Sequence, residues 1–132
     1  DTNIVNDEGR FLHRRRLQPP ANLTWRSFKH GMLVCHQAFY ALTSLAKNNL
    51  YNLNYRFSAD VDWCIRVMKE AEQKQLKLKN VGEVIVNYLD GGMTEKNHRA
   101  SLRERFNVMR HHYGLLTTMF MHLWFVVRQL TK

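Results

Sequence analysis

Between residues 59 and 75 the apolar positions keep returning to one side of a helix. Val61, Cys64, Ile65, Met68 and Ala71 are spaced by threes and fours, the period of an amphipathic α-helix with a buried stripe. A second stretch of this period is predicted to run from a Thr94 cap to Tyr113, with Gly114 as its stop. Leu102, Phe106, Met109 and Tyr113 make its apolar seam, and Arg99, Arg103 and Arg110 share the opposite side. A third helix is predicted from Leu115 to about Gln129 and is apolar over most of its circumference. Leu116, Met119, Phe120, Leu123 and Val127 form its stripe, which Trp124 and Val126 widen. Thr118, His122 and Gln129 leave a narrow polar strip.

Other apolar runs are of strand length. "MLVCHQAFY" and "GEVIVNYLDGG" are rich in β-formers and read as strands. Val34 and Ile85 are therefore expected in core strands, with Ile65, Met68 and Phe106 packed on them. The opening "DTNIVNDEGRFLHRRR" reads as two short extended runs, around Ile4-Val5 and residues 10–13, joined by the turn Asn6-Asp7-Glu8-Gly9. A chain that opens inside a hairpin reads as one cut from something longer. Arg14-Arg15-Arg16 leads into the break at Pro19-Pro20. "LTWRSFKHG" reads as a short helix ended by Gly31, and "YNLNYRFSAD" as a polar-aromatic loop. The predicted class is α/β, with a few strands and three or four helices, too few strands for an open doubly wound sheet.

Hydrophobic residues make up 45% of the 132, enough for a real core, which excludes a disordered tail. Twenty Lys and Arg against eleven Asp and Glu give a formal charge of +9. Such a chain favours anionic company: phosphates, nucleic acid or an anionic membrane surface. No RNA-binding signature of interleaved glycines and aromatics appears, which argues against nucleic acid. Cys35 and Cys64 stand in apolar contexts outside any Cys-x-x-Cys or zinc pattern, and read as two buried thiols in a reducing compartment. The sequon Asn22-Leu23-Thr24 is then accidental. No signal peptide is recognisable, and no apolar run reaches the roughly 18 residues of a spanning helix. A cytoplasmic location follows as an expectation, with contact at the inner face of the cell membrane as an option.

Asp60 and Asp62 sit where the first of these helices begins. Three readings stand open. Carboxylates in a first turn interact well with free N–H groups and the helix dipole. An Asp-x-Asp spacing can hold Mg²⁺ or Mn²⁺ with a diphosphate, although residues two apart on a helix point about 200° apart. A single carboxylate facing a pocket can act as a general base. His36-Gln37 reads either as a buried hydrogen-bonded pair or as a substrate contact. His98, beside Arg99, can meet a phosphate or a metal, or lie on a solvated face. His111-His112 diverge as helical neighbours and read as surface groups.

Three strings carry more than spacing: "GMLVCHQAFY", "YRFSADVDWCIRVMK" and "NYLDGGMTEKNHRASLRERFNVMRHHYG". In order and spacing they resemble the C-terminal half of a family 2 inverting glycosyltransferase, of the bacterial group that elongates surface polysaccharides. The resemblance covers residues 1–114 and leaves 115–132 as a separate apolar helix. It implies an A-type glycosyltransferase fold whose N-terminal, nucleotide-binding half is absent here. The divalent metal, Mg or Mn, would be held mainly by an Asp-x-Asp in that half. Asp60-Val61-Asp62 instead matches the later position where the family shows Glu-Asp at a helix start. Asp60 then falls on the base; Ala59 replaces the usual acidic neighbour, and Asp62 stays a second candidate.

The resemblance also implies that His36, Gln37, Gly91, Gly92, Thr94, His98 and Arg99 lie near substrate, the last five beside the donor phosphates. The implied partners are a nucleotide-sugar donor and a glycan or lipid-linked acceptor. The chain alone is expected to be inactive and to bind nucleotide-sugar weakly. The final helix would be covered by the absent half, by a second copy in a homodimer, or by a membrane surface. The rival reading is a stand-alone basic module for nucleic acid or anionic surfaces.

Overall fold

The predicted hairpin forms, and a parallel strand from much later in the chain completes it into a sheet. The computed structural model describes residues 1–91 and 97–131. Strands β1 (Thr2–Val5) and β2 (Phe11–Arg14) pair antiparallel, with an irregularity between Ile4 and Val5. Asn6 Oδ1 accepts the N–H of Glu8 (3.1 Å) and of Arg10 (2.8 Å). Gly9 closes the turn at φ 77°, a conformation that costs a residue with a Cβ. Strand β3 (Val86–Leu89) lies parallel to β1 on its other side, Thr2 facing Val86 and Val5 facing Leu89. The order β2-β1-β3 makes a small mixed sheet in an α/β domain.

Between β2 and β3 come two 3₁₀ turns (Trp25–His30 and His36–Ala38), a short α1 (Thr43–Asn48) and α2 (Ala59–Gln73). Helices α3 (His98–Tyr113) and α4 (Leu115–Leu130) follow β3. The core is helical rather than sheet-centred. Val61, Cys64, Ile65 and Met68 of α2 are buried with Phe28, Met32 and Val108, as the stripe on α2 predicts. Beside this cluster on α2, Val67 and Ala71 pack with Leu45 of α1. Glu70 clamps the same two helices. It accepts from Asn48, Asn49 and Lys74, which hold its carboxyl down to about 2. Trp25 stacks on Tyr113 with ring centres 5.8 Å apart, and the Tyr113 hydroxyl donates to the Trp25 carbonyl at 2.6 Å. Cys35 and Cys64 are buried and unbridged, and burial pushes the Cys64 thiol well up.

Several expectations are corrected. "MLVCHQAFY" is not a strand. Its backbone is satisfied locally and by a side chain: Arg15 donates to the Met32 carbonyl at 2.6 Å, Ala38 N–H to Cys35 O and Phe39 N–H to His36 O. A short apolar run suits any buried segment, so periodicity alone could not separate these cases. The second strand is shorter than "GEVIVNYLDGG" suggests. Ile85 lies before it, 38% exposed, and Val34 is only half-buried. Both line an apolar cleft of about 800 Å³, with Leu45, Val67 and Ala71 on its far wall. Neither is a core-strand residue.

Helix α3 follows its prediction over most of its length: Met109 is buried, Phe106 and Tyr113 are half-buried, and Arg99, Arg103 and Arg110 are exposed, but Leu102 leaves the seam and polar residues join the inward side. Leu102 is 45% exposed, whereas Ser101, Val108 and Met109 are buried and Glu104, Arg105 and His112 turn toward the protein. The Thr94 cap lies outside the described residues, and the described helix starts after Asn97. Gly114 ends α3 at φ 82°, as expected, and opens α4. Helix α4 docks by its polar strip: Thr118 is fully buried, and the His122 ring meets the Phe106 ring edge-on at 5.0 Å. Its broad apolar stripe faces outward. No described helix is long and apolar enough to cross a membrane.

Truncation should separate the true core from the predicted one. Ile65→Ala is expected to cost about 2–5 kcal/mol, and Leu102→Ala within about 0.5 kcal/mol. Urea unfolding of the two variants measures the difference.

Candidate active site

Helix α2 sends its two aspartates to different places. The Asp62 side chain is 3% exposed and fully engaged. Its Oδ1 accepts from His112 Nε2 at 2.7 Å and its Oδ2 from Arg66 Nε at 2.8 Å. Lys69 Nζ lies 3.1 Å from His112 Nδ1. An ammonium only donates, so Nδ1 accepts and Nε2 carries the proton given to Asp62. Burial pushes the Asp62 carboxyl up, but the bonds from His112 and Arg66 outweigh it and hold the group below the usual carboxylate range. Arg66 also donates to the Leu50 carbonyl at 2.8 Å, so the same network fixes the loop before α2.

Asp60 is the open one. Its side chain is 27% exposed, and its Oδ2 lies 3.3 Å from His36 Nδ1. Its Oδ1 accepts the N–H of Val61 at 2.9 Å. The bond to Asp60 raises the His36 pKa against the opposing effect of partial burial. Two guanidiniums stand within electrostatic reach. Arg15 is anchored on the carbonyls of Leu17 (2.8 Å) and Met32 (2.6 Å), and Arg105 projects from α3. Burial lowers the pKa of both, while Asp60 acts in the opposite sense on each. One turn after Asp60, Trp63 stacks on the exposed Tyr51 at 5.3 Å between ring centres.

The position of Asp60 is set from α3. Glu104 Oε1 accepts the N–H of Arg56 at 3.0 Å, and Oε2 accepts those of Phe57 (2.6 Å) and Ser58 (3.0 Å). These amides lie just before α2, where the chain has no helical carbonyls to bond. One carboxylate thus fixes the entry of the helix that carries Asp60.

The remaining candidates spread out. Gln37, Gly91, His98 and Arg99 are exposed, and no described contact joins them to Asp60. Gly92 and Thr94 lie outside the described residues. His112, expected at the surface, is a buried partner of Asp62. Arg15 and Arg105 carry no sequence signal that separates them from the other cations. The apolar cleft does not include Asp60, so the candidate chemistry sits outside it. Among the described residues no three His, Cys, Asp or Glu side chains gather as metal ligands. These residues do not fit a metal centre of their own. Family models, curated proteins and solved structures compared with this chain give no match.

Two outcomes follow. Removing one partner of the buried pair, by Asp62→Ala or His112→Ala, should cost about 1–3 kcal/mol in denaturant unfolding, because the other loses a hydrogen bond out of water. His36 should titrate above the ordinary histidine range near 6.5. A raised folded value means that its contribution to stability is complete below the unfolded pKa and is lost as pH rises through the folded one. Proton-detected titration of the His36 ring measures this, and Asp60→Asn should return it toward the ordinary value.

Proposed function

We propose that this chain is the acceptor-side, C-terminal part of an A-type glycosyltransferase domain. The enzyme containing it transfers a sugar from a nucleotide-sugar to an acceptor hydroxyl with inversion, in bacterial surface-polysaccharide synthesis. The reading rests on the resemblance of the three sequence strings. The observation that carries it is the division of labour on α2: Asp62 is saturated and buried, while Asp60 keeps a half-open carboxylate beside His36.

Asp60 is the base in this reading. It takes the proton from the acceptor hydroxyl as that oxygen bonds to the anomeric carbon. The bond from that carbon to the diphosphate oxygen breaks from the opposite face, and the nucleoside diphosphate leaves with the electron pair. His36 orients Asp60 through the 3.3 Å contact. Arg15 and Arg105, within electrostatic reach of Asp60, add positive charge to the site. The Tyr51–Trp63 stack offers an apolar ring face, one turn along α2, on which an acceptor sugar can lie. The divalent metal that the resemblance implies would assist diphosphate departure from ligands elsewhere in the enzyme, and nothing in the role of Asp60 is routed through it.

Asp60→Asn in the enzyme containing this chain should leave donor binding nearly intact and lower turnover by about 10²-fold or more. Asp62→Asn should act on stability more than on chemistry. Turnover by the folded enzymes decides: a larger loss for Asp62→Asn moves the base there, and small losses for both remove the reading.

A further inference from the structure

Helix α4 is oriented against the usual sense. At about 100° per residue, Thr118, Met121, His122, Phe125 and Arg128 occupy the side turned to the protein. Thr118 and Met121 are buried there, and His122, Phe125 and Arg128 are half-buried. The His122 Nδ1–H donates to the Thr118 carbonyl at 2.9 Å, and its ring meets Phe106 and Phe125. The other side is uncovered. Leu116 is 83% exposed, Phe120 71%, Leu123 64%, Trp124 49% and Leu130 80%. Exposed Met119, Val126 and Val127 fill the gaps between them, giving an apolar arc of about 160°. Thr118, His122 and Arg128 turn inward, Thr117 and Gln129 stay exposed, and the apolar face points outward. An exposed patch of this kind marks a binding surface.

Two features on the page choose the occupant. The first is charge. The chain carries +9, and cations border the helix: Arg128 on its docked edge, with Lys29 nearby on the first 3₁₀ turn, and exposed Arg110 at the end of α3. A second copy would bring like charge to like charge, whereas an anionic surface is complementary. The second is width. The 4-3-4-3 spacing of Leu116, Phe120, Leu123, Val127 and Leu130 would suit a narrow seam between twin helices. The positions flanking such a seam usually carry charges; here Met119, Trp124 and Val126 are apolar and Thr117 is uncharged. An arc this broad, with a tryptophan and basic neighbours, suits a helix lying in the interfacial layer of a bilayer.

We infer that α4 seats the protein on an anionic lipid surface, its apolar arc among the acyl-chain ends and the neighbouring cations at the head groups. This placement does not depend on the glycosyltransferase reading. The helix lies in the surface and does not span it, in keeping with its length of about 24 Å.

The test is co-sedimentation of the chain with phosphatidylcholine vesicles, with and without phosphatidylglycerol. Binding is expected with phosphatidylglycerol, weaker without it, and falling as salt rises. Phe120→Glu with Leu123→Glu changes only exposed side chains, and should lower the bound-to-free ratio about tenfold or more. If that pair loses its helical circular dichroism, Leu123→Gln alone carries the test, with a smaller loss expected. Absence of binding overturns the inference, as does binding that these substitutions leave unchanged. The same vesicle assay on the enzyme containing this chain tests cover by its remaining part: vesicle binding by the chain but not by that enzyme would overturn the inference and assign the face to that part. Sedimentation velocity tests a second copy. A dimer that dissociates on Leu123→Glu, in a chain that ignores vesicles, would assign the face to a second copy.

Discussion

The carboxylate of Glu104 holds the place where α2 begins, and much of the domain follows from it. Three consecutive amides, those of residues 56–58, converge on its two oxygens. Amides ahead of a helix have no carbonyl of that helix to meet and need an outside acceptor when removed from water. By supplying one from α3, the chain ties together segments almost fifty residues apart. About two turns farther along α3, His112 reaches Asp62 and makes a second tie between the same helices. Two polar ties set the mutual rotation of α2 and α3, and Ile65, Met68 and Val108 fill the space between them.

That arrangement explains what the sequence could and could not disclose. The stripe on α2 was legible because its buried positions are apolar at helical spacing. The hairpin was legible from Asn6 to Gly9, where the turn chemistry is local. The face of α3 was legible in part: Phe106, Met109 and Tyr113 turn inward as their spacing says, but Ser101, Glu104, Arg105 and His112 share that side. A rule that sends apolar side chains inward therefore added Leu102 to the seam and took His112 for a surface group. The same rule failed on α4, where Thr118 and His122 are the docked groups. Of the candidate site, Asp60, Asp62 and His36 could be named from the sequence. Arg15 and Arg105 could not, since only the fold brings those two of the twenty basic residues near Asp60.

The two uncovered apolar regions differ in kind. The cleft bordered by Val34, Ile85 and Val67 is concave and enclosed by loops and α2. The outer face of α4 is convex, and it belongs to one regular element whose inward face is satisfied. A concave apolar wall can be narrowed by side-chain movement from both sides. A convex stripe on a docked helix has no such recourse, because rolling it inward would bring Thr118 and His122 out and break their packing against α3. The exposed stripe is thus fixed by the same contacts that hold the helix.

The separation of Asp60 from Asp62 follows from helix geometry before any chemistry is considered. Positions two apart diverge by about 200°, so one α-helix cannot point both carboxylates into one pocket. One must turn toward α3 and the other toward the opposite flank. The inward carboxylate loses water and needs compensation, which His112 and Arg66 provide. The outward one retains partial solvent access and a single histidine partner. A saturated carboxylate holds its proton affinity down and has no lone pair facing a substrate. A half-open one can still accept a proton. The pair that looks like one motif in the sequence therefore divides into an anchor and a half-open carboxylate, and the anchor joins Glu104 in holding α2, which carries that carboxylate, against α3.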